Sequence, residues 1–312
     1  MNELFGRAVR AVLDHGEWVS PRGLPTREVL GAHLQLTDPR CRLLDLPPAR
    51  VLNPAFAVAE TVWILSGSDA PWIYGYNERL REFADDGVLR GAYGPRMRRW
   101  LAGPSPVDQL DEIRRLLSED PDSRRAVVQL FDPAHDFRGH RDVPCTLSYR
   151  FYLRAGRLQM HTTMRSQDLW LGFGYDIFAA TVLHELLAGW LGVELGSYHH
   201  TVDSLHLYEP NLEQAADLPG LVTASEVVPL PDLDWADFDR VLADLAAIGA
   251  NRTPPALATS GWPEADSVLR SYRAWKLGDR EVALRLAETA SGPLAQALHR
   301  WYAHLSALDG PG

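Results

Sequence analysis

Apolar residues recur at helical spacing over residues 3–14, where Leu4, Phe5, Val9 and Val12 share a face and predict a short amphipathic helix. Pro21 and Gly23 then mark a loop carrying Arg22. Alternation predicts a strand over 28–37. Residues 54–66 predict a helix of another kind, apolar on every side and interrupted by a single carboxylate, Glu60. A polar-faced helix is expected over 107–118. Strands are expected over 127–131, 146–153 and 158–163, the last two joined by the hairpin turn Arg154-Ala155-Gly156-Arg157. A long apolar helix follows over 176–191, and strands return at 194–203 and 221–228. Past the prolines of 229–232 the pattern changes to Ala- and Leu-rich amphipathic helices at 234–248, 263–276, 279–290 and 293–307, with a linker at 251–255. This order predicts an α/β (α+β) catalytic domain over 1–230 and a helical C-terminal extension over 231–312 packed on it.

Composition narrows the classes. At 312 residues, 46% hydrophobic and 23% charged, the chain can bury a sizeable core. A net charge of -10 argues against a broad nucleic-acid or anionic-lipid surface, but permits an arginine cluster around one small anion. Lys276 is the only lysine among many arginines, a bias suited to a GC-rich genome. Two cysteines, Cys41 and Cys145, make neither a disulfide framework nor a zinc set, and fit a reducing cytoplasm. The N-terminus lacks a basic segment followed by a long apolar run, so no signal peptide is expected, and no apolar run reaches membrane-spanning length.

The candidate chemistry is concentrated in a few places. Cys145 becomes a nucleophile if positive charge lowers its pKa from about 8.5, and Arg165, Arg124 and Arg125 are possible sources; a small buried hydrophobe is the plain alternative. Arg165-Ser166 has the donors of a phosphate clamp, although exposed Arg-Ser pairs are common. Ser123-Arg124-Arg125 precedes a strand and by itself fits a solvated edge equally well. Glu60 within its apolar helix is either on an exposed face or a general acid/base with a tuned pKa. His206-Leu207-Tyr208 offers two polar tips at alternate positions, for a substrate hydroxyl or for a half-buried structural pair. His199-His200 lacks a third ligand at convincing spacing, so no metal is expected.

Together these segments resemble thymidylate synthase and its relatives, the pyrimidine-nucleotide hydroxymethylases, from about residue 20 to residue 215. The resemblance is carried by Glu60-Thr-Val-Trp-Ile-Leu-Ser-Gly, Ala92-Tyr93-Gly94, Asp122-Ser123-Arg124-Arg125, Pro144-Cys145, Arg165-Ser166-Gln167-Asp168-Leu-Trp-Leu-Gly172, and His200-Thr201 followed by His206-Leu207-Tyr208, in the family's order. Arg22 matches the family's phosphate-loop arginine in looser register. The resemblance implies a three-layer fold around a central mixed sheet, and a homodimer with shared sites. It implies that Cys145 adds to pyrimidine C6, that Glu60 organises water and proton transfers, and that Tyr93 assists loss of the C5 proton. Arg22, Arg165 and Ser166 would hold the 5'-phosphate, joined by Arg124 and Arg125 of the other subunit. His206 and Tyr208 would bind the 3'-hydroxyl. Asp168 and Gly172 would belong to the contact with 5,10-methylenetetrahydrofolate, the implied cosubstrate.

Two departures from the synthases direct the expected function. Their proline-phenylalanine-asparagine is here Gly174-Tyr175-Asp176. A carboxyl group can accept from the cytosine amine and, when protonated, donate to N3, whereas an ionised one repels uracil O4. Aspartate at this position resembles the cytidylate hydroxymethylases. The short C-terminal flap of the synthases also has no match, and Leu80 and Phe83 stand where the synthases carry tryptophans. Admission of water to an exocyclic methylene then gives hydroxymethyl in place of methyl. The expected activity is therefore cytidylate 5-hydroxymethylation of CMP or dCMP. The arginine bias leans towards a bacterial enzyme using CMP, as in nucleoside-antibiotic pathways. A thymidylate synthase acting on dUMP and a noncatalytic nucleotide- or RNA-binding relative are the alternatives.

Overall fold

A computed structural model describes the chain except for residues 102, 219–223, 253–260, 291 and 309–312. In chain order it contains α1 (Asn2–His15), β1 (Glu17–Val19), β2 (Thr26–Leu36), β3 (Asp45–Leu46), β4 (Arg50–Val51), α2 (Pro54–Leu65), α3 (Tyr93–Arg98) and α4 (Gln109–Glu119). Then come β5 (Val127–Gln129), β6 (Thr146–Arg154), β7 (Arg157–Met164), β8 (Gln167–Asp168), α5 (Phe173–Trp190), β9 (Glu194–Tyr208) and α6 (Leu212–Ala216). The remaining helices are α7 (Trp235–Gly249), α8 (Pro263–Lys276), α9 (Arg280–Thr289) and α10 (Gly292–Leu308).

The strands form one mixed sheet in the order β1-β2-β9-β7-β6-β5, with β8 alongside the end of β9. The β6–β7 hairpin closes through Ala155 and Gly156, both at positive φ, as the twist of a two-residue hairpin loop requires. β7 and β9 run parallel, so the chain must cross over between them, and α5 is that crossover. Along β6 and β9, Tyr149, Phe151, Tyr198, His200 and Val202 are buried, whereas Arg150, His199 and Thr201 on the opposite face stay half-buried.

The two helices that read as apolar all round are central for that reason. α5 packs against β7 and β9 on one side and α2 on the other. α2 is covered in turn by α7, α8 and α10. Asn53 starts α2 by accepting from the backbone N–H groups of Ala55 and Phe56, with Pro54 at the first helical position. The helices beyond residue 231 therefore touch the same central helix that carries Glu60.

Some elements differ from the sequence expectation. Residues 224–228 form no strand, and 221–223 lie outside the described residues. Val228 instead donates its N–H to the Arg40 carbonyl. β9 runs five residues past its expected end at 203, because β2 and β8 continue to pair with it. α3 and β8 are too short to carry a periodic signal. The 253–255 part of the expected linker, and 309–312 of the C-terminal segment compared with the flap, lie outside the described residues.

Candidate active site

One cleft of about 700 Å³ lies where α2, the β8–α5 turn and the end of β9 meet. It collects Arg22, Glu60, Tyr93, Cys145, Arg165, Ser166, Asp168, Gly172, Asp176, His206 and Tyr208. Arg124 and Arg125 are not brought to it; they are exposed in the segment before β5.

Cys145 sits immediately before β6, where a bulge at the start of that strand shifts the register against β7. A bulge re-aims neighbouring side chains, and this one lies beside the thiol. The Tyr93 hydroxyl accepts from the Thr146 N–H at 3.1 Å, which fixes the next residue. The expectation of a charge-activated thiol needs correction. Arg165 Nη2 lies 3.8 Å from Sγ and Arg22 also favours the thiolate, but burial is the larger effect and pushes Cys145 up to about 11. Arg124 and Arg125 of the same chain lie away from it. The resting group is a neutral thiol whose ionisation Arg165 assists. Arg165 is itself oriented by the backbone, donating from Nε to the Pro144 carbonyl and from Nη2 to the Val143 carbonyl, both at 2.9 Å.

Asp176, in the first turn of α5, is half-buried in the cleft wall. Burial raises its carboxyl to about 6, against a hydrogen bond from Gln167 that lowers it. Gln167 Nε2 donates to Oδ2 at 2.8 Å. The Gln167 carbonyl then faces His200 Nε2 at 3.2 Å, and His200 Nδ1 faces the Tyr198 hydroxyl at 2.9 Å. Burial lowers His200 to about 3, so the ring is neutral. It carries its proton on Nε2, because the amide oxygen can only accept. The chain Tyr198–His200–Gln167 thus points an N–H at Oδ2 and leaves Oδ1 as the oxygen to carry Asp176's proton. Gly172 makes room for this: a Cβ there would lie 3.0 Å from Gln167 Nε2 and 3.1 Å from Asp176 Oδ2.

Glu60 is pushed well above the usual carboxylate range by burial first and by Asp176 second. Tyr93 is likewise raised by burial, then by Asp176 and Cys145. Asp168 Oδ1 accepts from the Trp170 and Leu171 N–H groups at 2.7 and 3.1 Å, closing the turn into α5. Burial raises this carboxyl, opposed by those bonds and by His206 and Arg50. His206 and Tyr208 meet edge to face with centroids 5.2 Å apart.

Several cleft residues escaped the sequence reading. Arg50 is half-buried, lies over the Trp170 ring at 5.2 Å and donates to the Trp170 carbonyl. Its segment carries no recognisable motif. Asn53 before Pro54 is a readable helix cap, yet its backbone N–H also donates to the Tyr175 hydroxyl at 3.1 Å, which no local pattern announces. Tyr272, Lys276 and Trp301 reach the cleft from α8 and α10, far away in sequence. Among the described residues there is no group of three or more His, Cys, Asp and Glu placed to hold a metal ion. No helix among them is long and apolar enough to cross a membrane.

A mixed sheet with a crossover helix, and a cleft joining one cysteine to an arginine-serine pair, an aspartate at a helix start and a His-x-Tyr strand end, define the thymidylate synthase-like fold class. Sequence comparison agrees: the chain belongs to the thymidylate synthase family, which it matches over residues 3–245. It is 36% identical over 217 residues to a deoxyuridylate hydroxymethyltransferase of Bacillus phage SP01, covering 66% of this chain and 56% of the relative. It is 37% identical over 177 residues to a deoxyuridylate hydroxymethyltransferase of Pseudomonas phage M6, covering 55% of this chain and 49% of the relative. The chain spans about half the length of these curated relatives.

Proposed function

We propose that the protein is a cytidylate 5-hydroxymethylase that takes its one-carbon unit from 5,10-methylenetetrahydrofolate and completes the reaction with water. The observation that carries the choice of base is Asp176: a half-buried carboxyl titrating near 6, held by Gln167 on Oδ2, in the cleft of Cys145. Carrying its proton on Oδ1, it donates to cytosine N3 and accepts from the 4-amino group.

Cys145 loses its proton and adds through sulfur to C6, with Arg165 stabilising the developing thiolate. C5 becomes nucleophilic and forms a bond to the one-carbon unit, which the folate supplies. The C5 proton leaves beside Tyr93. Once the folate departs, the transferred carbon is an exocyclic methylene. Water held near Glu60 adds to it, the electron pair returns to the ring, and the Cys145 sulfur is expelled. Arg22, Arg165 and Ser166 serve the phosphate, and His206 and Tyr208 the 3'-hydroxyl. Asp168 and Gly172 lie on the folate side. The ribose form, CMP, is the reading that suits an arginine-rich bacterial sequence, with dCMP as its close variant.

A second reading is uracil, because both curated relatives are deoxyuridylate hydroxymethyltransferases. A protonated carboxyl can also serve that base, donating to O4 and accepting from N3–H. Mass spectrometry of the product separates the readings when CMP, dCMP and dUMP are each offered with methylenetetrahydrofolate. A hydroxymethyl group on the cytosine nucleotide is expected, and none with Cys145→Ala. Modification of dUMP alone overturns the cytosine assignment, and a methyl group overturns the hydration step.

A further inference from the structure

The family match stops at residue 245, yet three cleft side chains come from beyond it: Tyr272 and Lys276 on α8, and Trp301 on α10. They stand apart from the nucleophile. The charges acting on Cys145 are those of Arg165, Asp176, Asp142 and Arg22. The groups around the Tyr272 hydroxyl are Lys276, Asn53, Trp301 and Glu78, and the two sets share no member. The cleft thus has a second end, where Tyr272, Lys276 and Trp301 of α8 and α10 meet residues 75–83.

That end has a definite chemistry. Tyr272 is buried and stacks on Tyr76 with centroids 5.3 Å apart, giving a fixed aromatic wall. Phe83, 43% exposed, extends the apolar lining on the side of residues 78–83. Lys276 and Arg79 add positive charge at the rim. Lys276 Nζ reaches Glu78 at 3.3 Å across the rim, but both side chains are exposed, at 46% and 73%. An ion pair of that kind contributes little, so an incoming carboxylate can displace Glu78. The matching ligand is elongated, with a flat aromatic middle and an anionic tail. A nucleotide held by phosphate and base at the other end leaves this space unused.

We propose that α8 and α10 complete the cosubstrate site, with Tyr272 and Trp301 lining the aminobenzoyl portion of the reduced folate and Lys276 binding the carboxylates of its glutamate tail. This rests on the reading that a folate is the one-carbon donor. The extension is then part of the binding cleft, and Lys276 selects for the anionic tail.

The test uses the full chain. The KM for methylenetetrahydrofolate is measured with monoglutamyl and triglutamyl forms, and the dissociation constant of the nucleotide is measured without folate. Lys276→Ala is expected to raise the folate KM about tenfold and to abolish any preference for the triglutamyl form, while leaving nucleotide affinity as in the wild type. Lys276→Arg is expected to restore most of the loss. Trp301→Ala is expected to raise the KM for both folate forms equally; circular dichroism verifies its folding, and Trp301→Phe serves in its place if it does not fold. Wild-type folate KM values in both the Lys276 and Trp301 variants overturn the assignment. If the wild-type protein neither binds nor uses a folate, the one-carbon reading itself fails, and that result is distinct because it appears without any substitution.

Discussion

Asp176 carries two opposed demands on one side chain. Burial favours the protonated form and brings its titration close to neutrality, and the same burial penalises the folded state once the proton leaves. Its pKa rises from 3.8 to about 6 on folding, so the folded chain binds more protons between those values. Stability is therefore unaffected by this group below about pH 4, falls as pH rises, and carries the whole penalty above about pH 6. Removing the carboxyl removes the penalty. Asp176→Asn is expected to gain about 3 kcal/mol at pH 8 and nothing at pH 3, measured by urea denaturation at each pH. The same variant is expected to lower the cytosine-to-uracil ratio of kcat/KM by tenfold or more, because the amide can never carry the negative charge that repels uracil O4 and can turn its N–H to O4 and its carbonyl to N3–H. A stability gain independent of pH would refute the titration. An unchanged ratio would remove Asp176 from base selection.

At the scale of the element, α5 does more than cross between parallel strands. Its first turn presents Asp176 to the cleft, and Glu185, nearer its C-terminal end, receives both Arg40 and Arg42. Arg42 is fully buried, and burial lowers its pKa against the attraction of Glu185. Stranding that guanidinium costs more than the pair contributes, since a lone buried charge has no solvent to replace its partner. Glu185→Ala is accordingly expected to cost about 3–5 kcal/mol in urea denaturation, and the double substitution Arg42→Met with Glu185→Leu to recover most of it. Equal losses in the single and the double variant would show that packing, and not the uncompensated charge, sets the cost.

The whole molecule leaves two features without a use inside one chain. The sheet face opposite the helices carries a half-open row in which His161 and His199 stack at 4.3 Å and His33 follows at 5.6 Å. Arg124 and Arg125 are exposed and away from their own cleft. A homodimer formed through the sheets, with each arginine pair serving the partner's phosphate site, accounts for both and is the arrangement we propose. Mixing Arg125→Ala chains with Cys145→Ala chains then makes one complete site in each mixed dimer. Activity of about a quarter of wild type is expected from an equal mixture of two individually inactive variants. No recovery with mixed dimers verified by native mass spectrometry overturns the sharing.

The sequence by itself determined most of the elements and the motif residues, because both are local: 3.6- and 2-residue periods, the Ala155-Gly156 hairpin and the short runs around Cys145, Arg165 and Asp176 each lie within a few residues. It also singled out eleven candidate residues that the fold gathers into one cleft. Tertiary structure alone decided the rest. It made the thiol neutral despite its arginine, turned Gln167 and His200 into a relay that orients Asp176, and brought Tyr272, Lys276 and Trp301 to the cleft through α8 and α10. The reason is physical. Desolvation depends on everything packed around a group, and contact between residues two hundred positions apart depends on how helices stack on α2. Neither leaves a periodic or spacing signal in the chain.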